Sequence, residues 1–137
     1  ELVEQNIGIS KDYNSFELNK AIGTKDVLKA NKIVYHFSKN QKGHPLQMTI
    51  GILYNFFTNI LNYHYTKDKS RNNVASVLRI SPFFVQEYQV AAANYNIRKA
   101  VKVIEYLHEY DLKSKGVNNT STNGGDLLKE LVFKIIH

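Results

Sequence analysis

The longest apolar run with helical spacing in this chain covers residues 45–66, PLQMTIGILYNFFTNILNYHYT. One stripe at i, i+3, i+4 and i+7 spacing contains Leu46, Ile50, Leu53, Phe57, Ile60 and Leu61, and a second stripe beside it contains Met48, Ile52, Phe56 and Tyr63. A helix that is apolar over most of its circumference is normally surrounded by other helices. Because Asn55, Asn59 and Asn62 interrupt the run, it does not have the character of a membrane span. The sequence therefore predicts the central helix of a small all-helical domain.

Capping residues and glycines mark the ends of the other helices. The predicted starts are Asn14 with Glu17 three residues later, Thr24, Asn72, Ser81 with Pro82, Asn96, and Gly125 with Asp126. Gly23 and Gly116 are predicted ends, since glycine readily adopts the conformation that closes a helix. No segment alternates apolar and polar residues with the period of a β-strand. The expected fold class is all-α, a compact multi-helix bundle of about six or seven helices.

The composition excludes some classes of function but does not identify one. At 137 residues, the chain has the length of one domain and can bury a real core. It contains no cysteine, which excludes disulfides, thiolate metal sites and a cysteine nucleophile. Its net charge of +6 is compatible with nucleic acid or with an acidic partner and proves neither. Since no signal peptide or membrane span is found, we expect a cytoplasmic protein without membrane contact. The chain begins at Glu1 and not at Met, so we also expect a piece of a longer protein.

The sequence contains no recognisable catalytic motif. Glycine-rich phosphate loops, the GxSxG nucleophile turn and the HExxH zinc motif are all absent. Glu105 and His108 form one Glu-x-x-His unit, but a di-iron bundle needs two such units and two further carboxylates. We therefore expect no catalytic residue, no metal ligand and no cofactor in this chain.

One carboxylate falls on the apolar side of a predicted helix. In the helix over residues 97–115, the apolar stripe that includes Ile104 and Leu107 continues four residues later to Asp111. A carboxylate on the core side must be paired or hydrogen-bonded, because its desolvation alone costs several kcal/mol. We expect Asp111 to be a buried structural residue that accepts backbone N–H groups, for example at the start of the last helix.

Residues 74–95 have the spacing of a DNA-reading helix-turn-helix, with Ala75, a turn at Ile80 and Ser81, and Val85 in the second helix. Two features oppose that interpretation. Arg79 occupies the turn position that usually holds glycine, and the second helix opens with residues 82–84, PFF, which do not read base edges. The alternative is a helical hairpin whose aromatic side chains fill a core or a subunit contact.

A second candidate surface is basic. Lys67, Lys69, Arg71 and Arg79 follow the central helix closely, and Tyr63 and Tyr65 stand beside the first of them. Mixed aromatic and basic residues are typical of single-strand binders. The same mixture also occurs at an ordinary solvated helix end, and the sequence leaves both interpretations open.

Four stretches together resemble one family. They are residues 16–34, 73–96, 109–116 and 125–137, and they occur in the order found at the C-terminal end of the DNA polymerase III delta subunit of bacterial clamp loaders. The most specific part is EYDLKSKG followed by the leucine-rich last helix, GDLLKELVFKIIH. The loop at 117–124 is longer and more polar than the family's short turn. The resemblance implies that residues 1–12 are a linker from a preceding AAA+-like lid domain and that residues 13–137 are a helical collar domain.

The resemblance also implies a role in assembly and no catalysis. In the family, five collars pack in a ring that holds the loader together, and the loader places the sliding clamp on DNA for processive replication. The implied partners are the delta prime and gamma/tau subunits, whereas the clamp is contacted only by domains absent from this chain and DNA is contacted weakly or indirectly. Collar association is heterologous, so each subunit uses different faces towards its two neighbours. We expect Phe83, Phe84, Tyr88 and Phe133 at these faces.

Overall fold

The computed structural model describes residues 13–116 and 123–137. Seven α-helices occupy these ranges: α1 (Ser15–Gly23), α2 (Val27–Lys39), α3 (Leu46–Tyr65), α4 (Arg71–Leu78), α5 (Val85–Asn94), α6 (Ile97–Ser114) and α7 (Gly124–Ile136). A short 3₁₀ helix, Pro82–Phe84, connects α4 to α5. No strand occurs within the described ranges, and the prediction of an all-α bundle is confirmed. The predictions for residues 1–12 and for most of the loop at 117–124 fall outside the described residues.

Helix α3 is the centre of the bundle. It packs against α1, α4, α5, α6 and α7, with its most extensive contact against α6. Its buried face is formed by Thr49, Ile50, Leu53, Phe56, Phe57 and Ile60. Most residues of the first predicted apolar stripe are therefore buried, as expected. The second predicted stripe is mostly outside the core, because Met48 is 54% exposed and Phe56 is the one residue of that row that is fully buried. The difference arises because one edge of α3, which carries Met48 and Tyr54, faces solvent.

Three of the predicted helix caps are present. The side-chain oxygen of Asn14 accepts a hydrogen bond from the Glu17 N–H at 2.9 Å, and that of Asn96 accepts one from the Lys99 N–H at 2.8 Å. Ser81 likewise accepts from the Phe83 N–H at 3.2 Å, which starts the 3₁₀ turn. Each bond satisfies a donor that a helix start would otherwise leave without a partner.

Three other caps were predicted at the wrong residue. Thr24 does not cap α2, because its hydroxyl donates to the Lys20 carbonyl and closes α1; Asp26 caps α2 instead. Asn72 lies inside α4, which begins after Ser70. Asn123 caps α7, so this helix starts one residue before the predicted Gly125. In each case a neighbouring polar residue with similar capping ability takes the position, and the sequence alone does not distinguish the two.

The bundle contains two apolar clusters. The larger one combines buried residues of α1, α2, α3, α5, α6 and α7 with Tyr95. The smaller one consists of Val74, Ala75, Leu78 and Val85, from α4 and the first residue of α5. The rings of Tyr63 and Tyr88 pack against both clusters. Helix α4 and its small cluster are therefore linked to the main core through these two rings, whereas α5 enters the main core directly with Ala91 and Ala92.

The end of α1 is fastened to the end of α5. The Tyr95 hydroxyl donates to the Ile22 carbonyl at 2.8 Å, and the Asn94 amide donates to the Gly23 carbonyl at 2.9 Å. At Gly23 a Cβ would lie 3.2 Å from Ala91 Cβ, so glycine allows the two helices to approach this closely. These bonds fix the position of α1, which carries one part of the surface described next.

Candidate interaction surface

Three phenylalanine rings form an exposed apolar surface, here called the phenylalanine patch: Phe16, Phe83 and Phe84. The side chains of Phe83 and Phe16 are 76% and 70% exposed. Phe84 is half-buried and stacks on Phe16, with 6.3 Å between ring centroids and 13° between the planes. Phe83 meets Phe84 edge-on at 5.4 Å. The patch thus joins the 3₁₀ turn to the first turn of α1 and offers a contiguous surface for a partner.

Phe16 is the member of this patch that the sequence analysis missed. The buried residues of α1 include Leu18, Ala21 and Ile22, which share one face of the helix. Phe16 lies two positions before Leu18, and this spacing turns its side chain by about 200° away from that of Leu18. This angular offset from the buried face could have indicated that Phe16 is exposed.

The other predicted interface residues differ in position and exposure. Tyr88 is half-buried, with its ring 5.1 Å from that of Phe56, and burial raises the pKa of its hydroxyl. Most of the Tyr88 ring therefore serves the packing of the domain itself. Phe133 is 64% exposed on α7, beside His137. Helix α7 contacts α1, α2, α3 and α6 but neither α5 nor the 3₁₀ turn, and the ring contact of Phe133 is with His137 and not with the phenylalanine patch.

The predicted basic residues Lys67, Lys69, Arg71 and Arg79 are all exposed. The Lys69 ammonium lies 5.0 Å from the centre of the Tyr63 ring and donates to the Thr66 carbonyl. The Arg71 Nε donates to the Pro82 carbonyl at 3.0 Å and ties the start of α4 to the 3₁₀ turn. The basic residues nearest the turn are thereby placed beside the phenylalanine patch.

The turn between α4 and α5 has the backbone shape that the motif spacing indicated. Arg79 adopts a left-handed conformation with φ 59° and ψ 48°, which is uncommon for a residue other than glycine. Glu87, in the first turn of α5, is half-buried, and this burial raises the pKa of its carboxyl although Lys20 acts in the opposite direction. The exposed side chains of α5 include Gln86, Gln89 and Val90.

A second group of basic residues, which the sequence analysis missed, surrounds the start of α6. Arg98, Lys99 and Lys102 line a shallow cavity of about 590 Å³ together with Val101. Desolvation, with a smaller effect from the nearby Lys25, lowers the pKa of Lys99. The signal in the sequence was the spacing of 98, 99 and 102, which places three cations on neighbouring rows of one helix.

Asp111 does not have the predicted environment. Its side chain is 31% exposed, and its Oδ2 atom lies 3.0 Å from the Lys115 ammonium one turn later. The backbone N–H groups at the start of α7 are capped by Asn123 and not by Asp111. The reason is that the buried face of α6 passes through Leu107 and Tyr110, which turns Asp111 to the edge of the helix. The prediction of a buried acceptor for backbone groups is therefore wrong.

The remaining candidates for chemistry are not assembled into a site. Glu105, from the Glu-x-x-His unit, lies 3.6 Å from the Lys102 ammonium. In residues 13–116 and 123–137, no group of three or more His, Asp or Glu side chains is placed to hold a metal ion. Of the helices in those ranges, none has both the length and the apolarity needed to cross a membrane.

The fold and these surfaces define a class: an all-helical domain with aromatic side chains exposed at several places on its surface. The sequence model of one family, described as the DNA polymerase III delta subunit, C-terminal domain, matches residues 12–129. Because this match covers most of the chain, the protein belongs to that family, and the resemblance drawn from the four sequence stretches is confirmed. No curated protein and no solved structure matched the chain. The family match gives no support to the helix-turn-helix alternative.

Proposed function

We propose that this domain assembles a clamp loader by packing against the corresponding domains of the other loader subunits. The observation that carries the proposal is the family match over residues 12–129. In this proposal, the parent protein helps to place the sliding clamp on DNA for replication in the bacterial cytoplasm. The domain itself performs no reaction in this proposal, and it needs neither a metal nor a cofactor.

The distribution of exposed aromatic rings supports a position inside a ring of subunits. A subunit of a closed heterologous ring needs two different faces, one for each neighbour. The phenylalanine patch lies on α1 and the 3₁₀ turn, whereas Phe133 lies on α7, which does not contact that turn. Aromatic side chains are enriched at the centres of protein interfaces because they bury a large area for little conformational entropy. The neighbours in this proposal are the delta prime and gamma/tau subunits. The sliding clamp is contacted by other domains of the parent protein.

The test is association in solution, measured by size-exclusion chromatography with light scattering. The chain is mixed at about 10 μM with all other loader subunits of the same organism, a concentration at which a micromolar complex forms. We expect a heteromeric peak. Phe83→Ala and Phe133→Ala should each weaken it, because an exposed ring can be removed without a cavity in the core, whereas Met48→Ala on the exposed edge of α3 should not. If no complex forms with the full set of subunits, the proposal is wrong.

A titration with duplex DNA separates this function from sequence-specific DNA reading. An assembly domain with a net charge of +6 should bind duplex weakly, and added salt should abolish the binding. A specific reader would bind its site with a Kd of about 10⁻⁸ M or lower at physiological salt. The left-handed turn at Arg79 is the observation that makes this control necessary.

A further inference from the structure

A small cavity adjoins the phenylalanine patch on the side of the basic residues. It has a volume of about 260 Å³ and is lined by Lys69, Arg71, Pro82, Phe83, Val85, Gln86 and Gln89. This volume is below the range of about 300–1,000 Å³ that is usual for small-molecule sites. It is suited to a single side chain of a protein segment that lies over the surface.

The cations at this cavity are held in place by neighbouring groups. The Arg71 Nε donates to the Pro82 carbonyl at 3.0 Å, which leaves the two terminal nitrogens of the guanidinium for another acceptor. The Lys69 ammonium is placed by the Thr66 carbonyl and the Tyr63 ring. Neither cation takes part in an ion pair among the described residues. Positioned cations lose less conformational entropy when they bind a carboxylate than free side chains do.

The charge around the cavity is strongly one-sided. Residues 67–89 contain Lys67, Lys69, Arg71 and Arg79 and two acids, Asp68 and Glu87, neither of which lines the cavity. The Asp68 carboxylate accepts the Ser70 N–H at 3.0 Å, and this bond lowers the pKa of the carboxyl. The remaining lining residues are uncharged: the two amides Gln86 and Gln89, and the apolar Pro82, Phe83 and Val85. A complementary occupant therefore carries negative charge next to an apolar side chain.

We infer that this cavity receives an acidic segment of a neighbouring loader subunit, in which a Glu or Asp side chain binds Arg71 and Lys69 and an adjacent apolar residue packs on Phe83. The inference rests on the proposed function and specifies the chemistry of the contact. Arg71 can bind a carboxylate through two parallel hydrogen bonds, which a single ammonium cannot do.

The sharpest test changes the charge of the cavity at Gln86, an exposed residue whose side chain makes no hydrogen bond among the described residues. Gln86→Glu should weaken association with the loader subunits, and Gln86→Lys should strengthen it, each by about three- to tenfold at low salt. Both effects should shrink as the ionic strength rises, because salt screens exposed charges. Gln47→Glu and Gln47→Lys on the exposed start of α3 are matched controls, and they should leave the association constant unchanged.

The outcomes separate the inference from the proposed function. If the wild-type chain does not associate with the other subunits, both fail. If it associates but the Gln86 variants behave like the Gln47 variants, the inference is wrong and the assembly function stands. A single-stranded oligothymidine is titrated in parallel. If its binding responds to the Gln86 variants while subunit association does not, the cavity is a nucleic-acid site and the inference is overturned.

Discussion

Tyr95 connects two distant parts of the chain through one hydroxyl group. Its side chain is fully buried, and the hydroxyl donates to the Ile22 carbonyl at 2.8 Å. Burial raises the pKa of this hydroxyl, so the neutral donor form is favoured over the phenolate. The Ile22 carbonyl also accepts the Lys25 N–H at 3.0 Å, which limits the loss if the hydroxyl is removed.

Tyr95→Phe should therefore lower the free energy of unfolding by about 1 kcal/mol, the usual net value of a buried neutral hydrogen bond. Urea denaturation followed by circular dichroism measures the change. Tyr65→Phe, at an exposed tyrosine, is the matched control and should have almost no effect. Equal stabilities of the Tyr95 variant and the wild type would show that the bond contributes nothing.

At the residue scale, local rules succeed where only sequence neighbours compete. Asn14 was predicted correctly as a cap because Glu17 stands three residues later, and Asn96 because it directly precedes the apolar stripe of α6. Asp111 was predicted wrongly because its burial depends on the rotation of α6 against α3 and α7. That rotation is set by side-chain packing over the whole helix, which the position of one residue does not reveal.

Two glycines in helices have opposite surroundings and allow a matched experiment. At Gly51, in the middle of α3, an added Cβ would have no atom within 4 Å. At Gly125, in the first turn of α7, an added Cβ would lie 2.9 Å from Ser38 Cβ and 3.3 Å from Ser38 Cα. The first site thus has room for a methyl group, whereas the second lies against the end of α2.

Gly51→Ala should raise the free energy of unfolding by about 1 kcal/mol, since alanine loses less backbone entropy in a helix than glycine does. Gly125→Ala should instead lower the stability by about 1–3 kcal/mol, because α7 must move away from Ser38. Both changes in the free energy of unfolding are measured from the midpoints of urea denaturation, on the condition that the m-value does not change. Changes of the same sign in the two variants would contradict the packing described for α7.

At the element scale, the sequence predicts which segments are helices better than it predicts which faces of each helix are buried. Periodicity placed α3 within a residue or two of its observed bounds. It also predicted a second buried row that includes Met48, but Met48 is exposed. An apolar residue on a helix is compatible with a core, an open edge or an interface. Only the arrangement of neighbouring helices separates these cases.

At the scale of the whole molecule, the two apolar clusters predict that different helices unfold locally at different free energies. Helix α4 buries Val74, Ala75 and Leu78 in the small cluster, whereas α3 and α6 meet in the main core. A segment with few buried contacts opens at a lower free energy than the global unfolding transition. Tyr63 and Tyr88, which contact both clusters, limit this independence.

Amide hydrogen exchange under native conditions should therefore be faster in α4 than in α3 or α6. Val74→Ala should increase exchange in α4 and the 3₁₀ turn while it leaves exchange in α6 nearly unchanged. If α4 and α6 exchange with the same free energy, α4 opens only with the whole domain, and the two clusters do not differ in stability.

The family and the fold class were accessible from the sequence, since both depend on patterns spread over most of the chain. The interaction surface was accessible only in part. Phe83 and Phe133 were predicted at subunit faces, a placement that stays a prediction. The contact of Phe16 with Phe84 joins residues far apart in the chain, and helical periodicity describes only one helix at a time.

The fastening of α1 to α5 has a consequence for synthesis on the ribosome. The carbonyl groups of Ile22 and Gly23 bond to Tyr95 and Asn94, which are 73 and 71 positions later in the chain. At a translation rate of about 5–20 residues per second, these partners arrive about 4–15 s after the end of α1. During that interval Leu18 and Ile22 have no completed core to enter. Helix α1 is thus one segment of the nascent chain whose apolar face a chaperone would shield.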